Sequence, residues 1–128
     1  MPAASAPVAG GGVASADARS RAVASGMAPL DVVAVITAKQ GSEPLVEAAL
    51  KELAAASRAD RGCLSYDLFV SVSAPATFIT IERWASQEDI DAHMASPHIA
   101  KVVTVAGEHF DGFPAIHTLR SLEDGSPA

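Results

Sequence analysis

The chain predicts an α+β fold of βαββαβ order, a ferredoxin-like sheet carrying its helices on one face. Three observations lead to it. Four runs between Leu30 and Leu119 have the apolar, β-branched character of strands, and runs of helical period follow the first and the third of them. The second and third strand runs are separated only by "SAPA", a connection of turn formers that reads as a hairpin.

Each element carries its own signal. "LDVVAVITA", from Leu30, is almost continuously apolar, as expected of a central strand covered on both faces. After Gly41, "SEPLVEAALKELAAAS" offers Ser42 as an N-cap and sets Leu45, Val46, Ala49, Leu50 and Leu53 on one helical stripe. Gly62 follows that helix, and "CLSYDLFVSV" and "TFITIERW" form the hairpin. Ser86 opens a second helix with Asp89 at its third position, a capping-box pattern. Ser96-Pro97 interrupts it: a cap followed by proline at a first helical position restarts the helix there. Ile99, Val102, Val103, Ala106 and Phe110 keep a helical period, and "GFPAIHTL" reads as the last strand. Pro114 has no N–H to give to a ladder, so this strand has a free edge. Helices on one side leave the other face of the sheet bare, and that face reads as apolar. A second copy would cover it, the two sheets closing into a dimeric α+β barrel, so a homodimer is expected.

Composition narrows the function classes. With 49% apolar residues, the 128-residue chain has enough for one packed domain. The formal net charge is -6 and no stretch clusters Lys and Arg, which argues against nucleic acid as a partner. A single cysteine, Cys63, makes no internal disulfide and fits a reducing, cytoplasmic compartment. No uncharged apolar run nears the roughly 18 residues of a bilayer span, so no membrane partner is expected. Residues 1–26 contain no Leu, Ile or aromatic residue and lack the apolar stretch of a secretory signal. They read as a disordered tail, with translation starting at Met27 the open alternative. The domain is expected over residues 27–122, with a second disordered end at 123–128.

Chemistry-bearing residues gather in "IERWASQEDIDAHMASPHIA", residues 81–100. A hairpin symmetric about Ala74 sets Tyr66 opposite Glu82, Leu64 opposite Trp84 and Leu68 opposite Thr80, all on one face. Asp89 and His93, four apart, are neighbours on their helix. His98 falls in the first turn of the next helix, where the partial positive charge favours a neutral ring that accepts a proton.

Taken together, Gly62-Cys63-Leu64, Tyr66, Glu82-x-Trp84, His93 and "SPHI" resemble the antibiotic biosynthesis monooxygenase domain, from about Met27 to Leu119, and most closely its small quinol monooxygenase-like members. The resemblance implies a dimeric α+β barrel and an activity that uses neither metal nor organic cofactor, a dihydroxy-aromatic substrate being oxidised directly by O2. It implies His93 or His98 as the base, Trp84 and Phe78 as a wall against the rings, Tyr66 as the group that orients the substrate oxygen, and Glu82 as a partner that orients a histidine.

Plainer roles exist for the same residues. Trp84 and Tyr66 serve equally as core anchors, His93 as a cap on its short helix, and Cys63 as a small buried residue. Two histidines with a distant Glu are not a convincing ligand set, so no metal is expected. A small-molecule-binding or stress-related dimer without turnover is the alternative from another class. An isomerase-type enzyme on the same scaffold needs a cationic clamp, for which only the scattered Arg58, Arg83 and Lys101 stand near. The haem-degrading branch of the resembled family is disfavoured, since its motif has an Asn in the first strand and a ligand His further along the last helix. This chain has "VVAVITA" and Val102-Val103 there.

Overall fold

The computed structural model describes residues 28–123; the tail expected over 1–26, Met27 and residues 124–128 lie outside the described residues. The elements run β1 (Leu30–Thr37), α1 (Glu43–Ser57), β2 (Cys63–Val70), β3 (Thr77–Trp84), α2 (Gln87–Met94), α3 (Pro97–Ala106), a 3-10 turn (Gly107–His109) and β4 (Ala115–Leu119). The strands form one antiparallel sheet in the order β2-β3-β1-β4, so the fold is α+β and ferredoxin-like.

Strand alternation decides what faces the helices. In β1, Val32, Ala34 and Ile36 are buried, while Asp31, Val33, Val35 and Thr37 on the other face are only half-buried. The two-sided burial expected of this strand is therefore incomplete among the described residues, whose helices pack on one side of the sheet. Two clusters fill that side. Ala34, Ile36 and Phe78 pack with Val46, Leu50 and Val102 from α1 and α3. Val32, Tyr66 and Trp84 pack with Ala54 of α1 and Ile90 of α2.

Local signals survive where their partners are local. Ser86 Oγ accepts from the Asp89 N–H at 3.1 Å and donates to Asp89 Oδ2 at 2.9 Å. Ser96 Oγ accepts from the Ile99 N–H, with Pro97 opening α3. The cap of α1 differs: Ser42 makes no side-chain cap bond, and its hydroxyl meets His109 Nδ1 at 3.0 Å instead. The stripe of α1 is also turned from its expected phase. Val46, Leu50, Leu53, Ala54 and Ser57 are buried, whereas Leu45 is 39% exposed, so the buried stripe is centred away from Leu45.

The hairpin pairs Tyr66 with Glu82 and Leu68 with Thr80, as expected. A bulge between Cys63 and Ser65 then sets Cys63, not Leu64, opposite Trp84, and Leu64 packs against Ala85. Phe110 is not helical either: α3 tightens into the 3-10 turn, and Phe110 bridges to Ala38. β4 is an edge strand that starts at Ala115, with Pro114 just before it.

Candidate active site

A cavity of about 400 Å³ lies between the sheet and the helical layer. Val32, Ala34 and Ile36 of β1 form its apolar floor, and Ile90 and Met94 of α2 with Ile99 and Val102 of α3 form its roof. It reaches the exposed edge strand β4, where Ile116 and Thr118 border it. Polar groups enter this apolar space at Tyr66 of β2, Thr80 and Glu82 of β3, and His93 of α2, all of them buried.

His93 is only 4% exposed and is held on several sides. Its ring lies against the Trp84 indole, with centroids 4.6 Å apart, and near the Tyr66 ring at 5.8 Å. Its Nδ1 is 2.8 Å from Oδ2 of Asp60, in the connection between α1 and β2. The same oxygen is 2.8 Å from Nε2 of His98, in the first turn of α3. An ionised carboxylate only accepts, so each facing ring nitrogen donates to it. The bond to Asp60 places a proton on Nδ1, so in the neutral form of this ring the lone pair is on Nε2, the nitrogen left to accept a proton.

Glu82 is spent differently. Its Oε1 accepts from Trp84 Nε1 at 2.9 Å and its Oε2 from the Thr80 hydroxyl at 2.6 Å, so neutral donors satisfy both oxygens of a buried carboxylate. Burial holds the Tyr66 phenol well above its ordinary range, and the Glu82 charge adds to this, while the Ser57 and Thr80 hydroxyls work in the opposite direction. Tyr66 is therefore a neutral hydrogen-bonding group at neutral pH.

Of the residues expected in the site, His93, Tyr66 and Glu82 line the cavity. His98 does not. It stands behind His93, joined to it through Asp60. Phe78 and Trp84 are packed in the core rather than on the wall, and Trp84 backs the His93 ring. Glu82 orients no histidine; Asp60 holds that place. Sequence reasoning missed Asp60, whose signal is an acidic residue two positions ahead of the Gly62-Cys63 pair. The histidines and Asp60 also each present a metal-ligating atom within 4.8 Å of the others. Among the described residues no helix is long and apolar enough to cross a membrane.

Comparison with known proteins gives a consistent picture. The profile of the antibiotic biosynthesis monooxygenase family matches residues 29–105. Rv0793 of Mycobacterium tuberculosis is 29% identical over 98 residues, which span 77% of this chain and 96% of that protein. Its structure is similar with a TM-score of 0.70, covering 77% of this chain and 100% of that one. PA3566 of Pseudomonas aeruginosa is 31% identical with a TM-score of 0.69, over 73% of this chain and 94% of that one.

Proposed function

The chain belongs to the antibiotic biosynthesis monooxygenase family, and from that premise we propose that its cavity binds a quinol or related dihydroxy-aromatic and oxidises it with O2. The observation that carries this reading is His93, a buried ring on the wall of an apolar cavity, held by Asp60 with Nε2 as its acceptor. The apolar floor and roof receive the aromatic ring, and the neutral Tyr66 hydroxyl donates to a substrate oxygen. His93 Nε2 removes the phenolic proton. The electron-rich anion passes an electron to O2, and recombination forms a carbon–oxygen bond. Cleavage of the O–O bond then releases one oxygen atom as water. For a simple quinol the products are a hydroxyquinone and water, so the substrate itself supplies the electrons and no external reductant or cofactor is needed.

The open sheet face supports the homodimer as the working form. Val33, Val35, Phe69, Ile79, Ile81 and Leu119 share it by register, and Phe69, Ile81 and Leu119 are each at least 41% exposed. The lone Cys63 thiol is compatible with a reducing, cytoplasmic setting.

The test is O2 uptake by chelator-treated protein across a panel of quinols and anthrones, with labelled O2 and mass analysis of the product. One labelled atom in the product is expected, and His93→Ala should lower kcat by about 10²–10⁴-fold with the fold intact. Absence of uptake across the panel, with thermal shifts from the same ligands, would favour a binding protein without turnover.

A further inference from the structure

We propose that Asp60, His93 and His98 bind one divalent transition-metal ion, and that this ion takes the Nδ1 lone pair of His93 and so removes the base from the cavity. The donor atoms are already gathered: one from each residue lies within 4.8 Å of the others, and both ring nitrogens stand 2.8 Å from the same Asp60 oxygen. Ligands at about 2.0–2.2 Å from a shared ion are roughly 2.8–3.5 Å from one another. Each imidazole already stands near that spacing from the carboxylate, and the two imidazoles are no more than 4.8 Å apart, so side-chain adjustment brings all three round one ion. Two imidazoles and a carboxylate suit zinc, nickel, copper or iron better than magnesium or calcium.

The surroundings fit an ion as well as the donors do. The ligands come from three separate segments, the α1–β2 connection, the end of α2 and the start of α3, and packing of the Trp84 indole on His93 holds one of them in place. The Asp60 and His98 side chains are 21% and 22% exposed, which gives an ion a way in and water a place to complete its coordination.

Binding has a chemical consequence. Without an ion, His93 donates from Nδ1 and presents a lone pair at Nε2. With an ion on Nδ1, the neutral ring must carry its proton on Nε2, and the acceptor on the cavity wall becomes a donor. Loss of activity on metal loading rests on the function proposed above; the binding itself does not.

The experiment is calorimetric titration of the chelator-treated full chain with Zn2+, followed by electron paramagnetic resonance of the Cu2+ form. One ion per chain is expected, with nitrogen coupling from two imidazoles. His98→Ala should reduce the coupling to one imidazole and weaken Zn2+ binding by more than the roughly 10–100-fold that loss of an outer partner costs. His117→Ala, on the opposite face of the sheet, should change neither result. Absence of binding, coupling to fewer than two nitrogens in the unsubstituted protein, or Zn2+ affinity unchanged by His98→Ala would each overturn the proposal. No substrate enters these measurements, so their failure and a failure of O2 uptake are read separately.

Discussion

Glu82 and Asp60 are both carboxylates beside the cavity, and their neighbours give them different work. Thr80 and Trp84 occupy both oxygens of Glu82, so it anchors the strand and the indole that backs His93. Asp60 keeps one oxygen for two ring nitrogens and sets the tautomer of His93. Their charges also reach Cys63, whose thiol is pushed up to about 12, first by burial and then by Asp60 and Glu82. This makes a prediction with a definite sign. The folded chain keeps the thiol proton, so the contribution to stability is fully present below the ordinary value of 9.0 and is lost as pH rises from there toward 12. In urea titrations at about pH 8 and about pH 10.5, the native chain should lose more stability than Cys63→Ala. Equal losses would show that the thiol is not held protonated by the fold. At this scale Tyr66 and Glu82 were legible as a pair because hairpin register sets them opposite each other, whereas His93, on α2, was reached only through the family resemblance. Asp60 was not legible, because its partners lie 33 and 38 positions away and no local period points at them.

Between residue and molecule, the turn that carries Asp60 is locked to the helix that carries His93. Gly62 has φ 80, in the left-handed region, and a Cβ there would run into the Asp89 carboxylate. Asp89 is itself held by the Ser86 cap of α2, and Gly62 accepts from the Ala85 N–H at 2.8 Å. Gly41 is a natural control, since it has φ 89 but nothing within 4 Å of its would-be Cβ. Alanine at either position pays a backbone cost of about 1–3 kcal/mol. Gly62→Ala should cost more than Gly41→Ala in urea unfolding, and it should also lower activity by moving Asp60 relative to His93. Equal costs with activity retained would mean that the close approach to Asp89 has no structural role. The same contrast explains which elements could be read in advance. The caps at Ser86 and Ser96 and the break at Pro97 depend on bonds spanning three residues, so the local sequence contains them. The phase of α1 and the bulge at Cys63 and Ser65 depend on how a helix or strand meets a distant neighbour.

On the scale of the whole molecule, one face of the sheet is finished and the other is not. Helices cover Val32, Ala34 and Ile36, whereas Val33, Val35, Ile79, Ile81 and Phe69 on the opposite face meet no other layer among the described residues. The Asp31–Arg83 ion pair at 3.4 Å marks one polar end of this face, leaving its centre apolar. A second copy placed sheet to sheet removes that centre from water, at a layer spacing of about 10 Å. Ile81 is 48% exposed, so dimerisation hides roughly half of the 1.5–3 kcal/mol of a fully buried side chain, and two-fold symmetry counts it twice. Ile81→Lys removes that gain and places two ammonium groups in the interface. The cross-strand neighbour Asp67 offers the new Lys a partner within the chain, so the monomer fold should persist. Sedimentation equilibrium should find the native chain dimeric and Ile81→Lys dissociating at least about a hundredfold more readily, with far-ultraviolet circular dichroism unchanged. A native chain that is monomeric at micromolar concentration, or a variant that remains equally dimeric, would mean that something other than a second copy covers this face.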